Sequence, residues 1–144
     1  MAVTVDDLLG MQQQQLDELF SAHDAGPIPD GEAHGTAIIA PGTPRSRPFA
    51  RMVTLFAWQG KVFDRKHGTL RNHILPFGLK AIVAQVYKGP SWLDKKECII
   101  LDYSQTSTVA QWVRDEIRMI GPNLYLGKVY WEKSRLIDFA LEFS

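Results

Sequence analysis

Cysteine is nearly missing from this chain. The single Cys98 excludes an internal disulfide framework and any multi-cysteine zinc site. No apolar run approaches the ~18 residues of a membrane-spanning helix. The opening MAVTVDDLLG lacks the basic start and apolar stretch of a secretory signal, so a cytoplasmic protein is expected. A phosphate loop, a GxGxxG turn, an HExxH pair, a nucleophile elbow and a CxxC pair are all absent, which removes several large enzyme classes. The four histidines, His23, His34, His67 and His73, show no metal-ligand spacing, so neither metal nor cofactor is expected.

Basic residues are missing from the first forty positions, which hold seven acidic residues and no Lys or Arg. Residues 41–96 reverse this, with eleven bases against Asp64 and Asp94, and the whole chain is neutral. Such asymmetry suits either an acidic segment docked on a basic one or a surface for anions. The bases are scattered and no zinc-finger or RNA-recognition motif is present, so nucleic acid is not an expected partner.

What is present is a globular composition, 45% hydrophobic and 22% charged over 144 residues, matching one domain of ordinary size. Thr4 can cap an N-terminal helix within residues 1–24, with Asp6 and Asp7 in its first turn where the helix dipole favours acids. A second short helix is expected near residues 47–58, where Phe49, Met52, Val53 and Phe56 fall at i, i+3, i+4 and i+7.

The remainder reads as strands cut by turns. They are Ala33–Ala40, Lys61–Phe63, Thr69–Leu75, Lys80–Tyr87, Glu97–Tyr103, Trp112–Ile120, Leu124–Trp131 and Leu136–Phe143. About eight close-spaced strands, most with short turns, predict an antiparallel meander able to close a small barrel over residues 33–143. The fold expected is mainly β, a barrel or strongly curved sheet with two helices. Residues Val109 to Met119 also fit a helix, which would give instead an α+β fold with a cone-shaped sheet.

Strand alternation sorts the candidate chemistry. Arg114, Glu116 and Arg118 share one face, while Val113, Asp115, Ile117 and Met119 share the other. The polar row is either a salt-bridge ladder or an inward anchor for an anionic or carbonyl group. Inward, Glu116 is a candidate base, held ionised by its arginines. Asp102, beside an apolar run, either caps the Ser104 turn or works as a general acid or base. Tyr103 and Tyr125 fall with the apolar rows of their strands, and Tyr103 is a candidate proton donor. Tyr87 and Trp112 complete the expected ligand-binding set with Arg114, Arg118 and Tyr125.

The stretch Asp30-Gly31-Glu32-Ala33-His34-Gly35-Thr36, followed by Trp58-Gln59-Gly60-Lys61-Val62-Phe63-Asp64, resembles the opening of an uncharacterised bacterial family named for a GXWXG motif. Ala33 stands where the name-giving tryptophan belongs. Val86-Tyr87 and Arg118 with Leu124-Tyr125-Leu126-Gly127 echo its second half. The helix-then-meander order is similar, more broadly, to lipocalin-like (calycin) barrels. That resemblance implies a cup with an apolar interior for a lipophilic ligand, used occasionally for isomerase, cyclase or lyase chemistry. The expected function is binding of a small apolar or amphipathic molecule inside the barrel, with cofactor-independent acid–base catalysis on such a molecule as the alternative. A homodimer is left open.

Overall fold

Thr4 and Asp7 cap each other at the start of the chain. The Thr4 hydroxyl accepts from the Asp7 amide at 3.2 Å, and the Asp7 carboxylate accepts from the Thr4 amide at 2.9 Å. The structure, a computed structural model, describes residues 3–39, 60–73, 82–105 and 109–144. Where one N-terminal helix is expected there are two, α1 (Val5–Leu9) and α2 (Gln13–Ser21). Gly10 ends the first, and a second start forms where the Gln12 amide donates to Gln15 Oε1 at 2.9 Å. The glutamine run therefore begins a helix rather than extending one.

Eight strands follow: β1 (Gly31–Ile38), β2 (Gly60–Asp64), β3 (Thr69–His73), β4 (Ile82–Pro90), β5 (Glu97–Asp102), β6 (Val113–Gly121), β7 (Leu124–Trp131) and β8 (Ser134–Phe143). Each pairs antiparallel with the next, and β8 returns to β1, Ala33 facing Phe143, so the barrel is closed. Closure removes every free sheet edge. Residues 109–112 form a 3₁₀ turn, and the strand begins at Val113, so the cone-shaped alternative does not arise. The helix expected near 47–58 lies outside the described residues.

Two apolar clusters use opposite faces of the sheet. The inner one gathers Phe63, Leu70, Val86, Ile99, Leu101, Val113, Ile117, Val129, Ile137, Phe139 and Leu141. The outer one packs Leu8, Leu16 and Phe20 of the two helices on Cys98, Ile100, Ile120, Leu124, Leu126 and Ala140. Strands β5, β7 and β8 are thus covered on both faces, which explains their near-continuous apolar runs. On β4 the outer residues Val83, Gln85 and Tyr87 are exposed while Ala84 and Val86 are buried, the alternation of a strand solvated on one side.

One end of the barrel is closed by the segment between α2 and β1. Ala25 and Ile28 join the inner cluster. The Met119 amide donates to Ala25 O at 3.1 Å, and the Tyr125 hydroxyl donates to Pro27 O at 2.6 Å. Gly26 has φ +73°, and a Cβ there would lie 2.6 Å from the Cβ of Met119, so only glycine fits this close crossing. Strand direction alternates in the meander, so the β1–β2, β3–β4 and β5–β6 connections all leave from the opposite rim.

Candidate functional site

Lys61 is the second residue of β2 and Asp115 the third of β6, which places both toward the rim opposite the closed end. Tyr103 follows the last residue of β5 at that same rim. All three point inward. Lys61 pairs across the sheet with Ala33, and Asp115 with Leu101 and Val129, all members of the inner cluster. Lys61 is 3% exposed, Asp115 2% and Tyr103 4%. An ammonium, a carboxyl and a phenol therefore share the interior with the aliphatic and aromatic side chains of the inner cluster.

Burial dominates their electrostatics. It pushes the Asp115 carboxyl up to about 7, against the attraction of Lys61 and a hydrogen bond from Tyr103, with Glu116 adding to the rise. It pulls the Lys61 amine down to about 8, against the attraction of Asp115. The amine donates to the Tyr103 hydroxyl at 3.5 Å. Among the described residues, Asp115 Oδ1 is the buried side-chain polar atom left without a hydrogen-bond partner. Burial thus favours the neutral form of each group, and one oxygen of the Asp115 carboxyl is left without a hydrogen bond.

The polar row expected to anchor a ligand lies elsewhere. Arg114, Glu116 and Arg118 point outward from β6, because Val113, Asp115 and Ile117 take the inner face. They are nevertheless covered, by α2 and the connection between β4 and β5. Glu116 accepts from the Ser91 hydroxyl at 2.7 Å, the Trp92 amide at 2.9 Å and the Arg114 guanidinium at 2.9 and 3.0 Å. The Arg114 guanidinium also stacks 4.3 Å from the Trp92 ring centre.

Arg118 uses all five of its N–H donors inside the protein. Two reach Asp94 at 2.7 Å each, and the others reach the carbonyls of Phe20, Lys96 and Glu97 at 2.9, 3.0 and 3.0 Å. No donor is left for a ligand. Beside it Lys128, fully buried, bridges Asp17 of α2 and Asp138 of β8 at 2.8 and 2.7 Å. The acidic N-terminal segment thus docks chiefly on bases of the C-terminal third.

The other expected site residues divide. Asp102 accepts from the Ser104 amide at 2.9 Å and the Tyr87 hydroxyl at 2.6 Å on the outer surface. Burial raises its carboxyl, but those hydrogen bonds win and hold it below the usual range. This is the turn-capping arrangement. Tyr87 and Trp112 are exposed, the latter edge-on to Trp131 at 5.8 Å. Tyr125 lies inside, but at the closed end, with its hydroxyl on Pro27. Of the expected set, Tyr103 alone joins the Lys61–Asp115 cluster.

Sequence reasoning overlooked Lys61 and Asp115, yet Asp115 left a signal. It is the one charged residue in the apolar row of Val113, Ile117 and Met119, and a lone charge in such a row must be buried and compensated. Lys61 shares its strand face with Phe63 in the same way. Among the described residues no group of three or more His, Cys, Asp or Glu comes together to hold a metal.

No family model matches the chain and no curated protein matches it, so membership of the GXWXG-motif family is not shown. Among solved structures, the chain is similar to a protein from Thermomonospora curvata, with a TM-score of 0.61 and 17% identity. The match covers 93% of this chain and 88% of that one. At that identity the likeness concerns the fold, and it is consistent with a lipocalin-like barrel.

Proposed function

We propose that the chain binds a small amphipathic molecule inside the barrel. Its apolar body lies along the inner aliphatic row, and its polar head meets Lys61, Asp115 and Tyr103. The observation that supports this reading is the unpartnered Oδ1 of Asp115 in a buried, apolar setting. An unsatisfied buried polar atom costs about 1–3 kcal/mol, which a hydrogen bond between the Asp115 carboxyl and a polar ligand head would offset. Apolar walls with a few convergent polar groups are the usual makeup of small-molecule sites. Arg114 and Arg118, both on the outer face, have no part in it.

Native mass spectrometry of the purified protein against its denatured mass tests the reading, with decanol added when the protein arrives bare. A non-covalent adduct that is weakened by Asp115→Asn is expected. A bare mass at saturating decanol, with no change in Tm, contradicts it.

A second reading has its own support. A carboxyl at about 7 beside a phenol is tuned for proton transfer at neutral pH. In a cofactor-independent isomerase or lyase, Asp115 would then move the proton expected of Glu116 or Asp102, and Tyr103 would stabilise an enolate. Turnover lost in Asp115→Asn with ligand affinity retained distinguishes this reading from simple binding.

A further inference from the structure

Among the described residues two lysines are buried, on opposite faces of the barrel wall. Lys128 sits on the outer face between two carboxylates, 5.3 Å above the Phe20 ring, as a structural cation. Lys61 sits on the inner face among apolar side chains, with a phenol 3.5 Å from its nitrogen and a carboxyl on a facing strand. We propose that Lys61 is a carbonyl-capture site, forming an imine with an apolar aldehyde or ketone seated in the barrel while Asp115 and Tyr103 move the protons. This inference rests on the binding reading and adds the chemical class of the ligand.

The geometry carries three requirements of imine formation. The amine must be neutral to attack, and desolvation in an apolar site favours the neutral form. Burial lowers the Lys61 amine to about 8, against 10.5 for an ordinary lysine, and so favours the neutral form. An acid must deliver a proton to the departing oxygen, and Asp115 is positioned on the same inner face with an unused oxygen. Finally, the charged product must be compensated in a dry site, and the ionised Asp115 supplies the counter-charge.

The step balances. The Lys61 nitrogen lone pair forms a bond to the carbonyl carbon as the carbonyl π pair moves to oxygen. A proton passes from nitrogen to that oxygen through Tyr103 or Asp115, giving a carbinolamine. The Asp115 carboxyl protonates the hydroxyl, the carbon–oxygen bond breaks, and one water leaves. The iminium remains opposite the Asp115 carboxylate, with nothing oxidised or reduced.

Decanal is the test probe, with decanol as its unreactive match. The protein is incubated with limiting decanal and cyanoborohydride at pH 7, digested and mapped by mass. The expected result is one increment equal to the aldehyde less its oxygen, on the peptide carrying Lys61 and ahead of the exposed Lys66, Lys88, Lys95 and Lys133. Lys61→Met removes that increment, and Asp115→Asn slows its appearance about tenfold or more, within the range of general acid–base catalysis. Circular dichroism confirms that each variant is folded, and Tyr103→Phe stands in if either is not.

Decanol and decanal binding without an increment on Lys61 overturns the imine proposal and leaves the binding reading intact. An increment confined to exposed lysines overturns it equally. Neither probe binding overturns both.

Discussion

Arg118 and Asp94 form a two-pronged ion pair, Nη1 to Oδ2 and Nη2 to Oδ1 both at 2.7 Å, between β6 and the connection that follows β4. The arginine is fully buried and also ties down the Phe20 carbonyl near the end of α2. Removing it takes the guanidinium from the Asp94 carboxylate and a donor from each of three carbonyls. Arg118→Met is expected to cost about 3–5 kcal/mol in urea unfolding, as the loss of one partner of a buried pair does. A cost below ~1 kcal/mol would contradict this.

The same pair has an acid signature. Hydrogen bonding from Arg118 brings the Asp94 carboxyl down to about 2, from 3.8. A lowered folded-state value stabilises the protein above pH 4, and that stability disappears as pH falls through about 2. Asp94→Asn should therefore be less stable than wild type at pH 6, with the gap closing toward pH 2. Thermal unfolding followed across that range checks it, and a gap that does not change with pH would contradict it.

Asp115 has the opposite sign. Its folded-state value is raised from 3.8 to about 7, so its contribution is present below pH 4 and is lost as pH rises through about 7. Lys61, lowered from 10.5 to about 8, loses its contribution as pH falls through 8. Asp115→Asn abolishes the first loss and removes the attraction of Asp115 on Lys61. Its stability relative to wild type should climb between pH 4 and pH 7. Parallel Tm curves for the two proteins would mean that Asp115 ionises as a solvated carboxyl does.

Gly127 and Phe139 are cross-strand partners, with the phenyl ring lying directly over the glycine. A Cβ at Gly127 would overlap three atoms of that ring. Gly127→Ala should destabilise by about 1–3 kcal/mol through overpacking of the inner core, and Gly127→Ala with Phe139→Leu should recover part of it. Urea titration of the single and double variants decides; no cost in the single variant would contradict the account.

Much of the fold was legible in the sequence. Turn residues at Gly121-Pro122-Asn123 and Glu132-Lys133 marked both hairpins of β6–β8, and Thr4 marked the start of α1. The break at Gly10 was not legible, because a five-residue helix depends on Leu8 packing under the barrel wall. The site was half legible. Alternation separated the two rows of β6 correctly, but it could not say which row faced inward. Partners distant in sequence, Ser91, Asp94 and Phe20, bury the polar row on the outside, and a strand's own residues do not reveal what covers it. The informative residue was Asp115, the exception in the apolar row.

On the binding reading, ligand enters the inner cluster and not the seam beneath the helices. Methyl NMR of the wild-type chain during a decanol titration measures this directly. Shifts are expected at Ile99, Ile117, Val129 and Ile137 of the inner face. Leu8, Leu16 and Leu126 of the outer cluster should stay still. Shifts confined to the outer methyls, or none at saturating decanol, would contradict it.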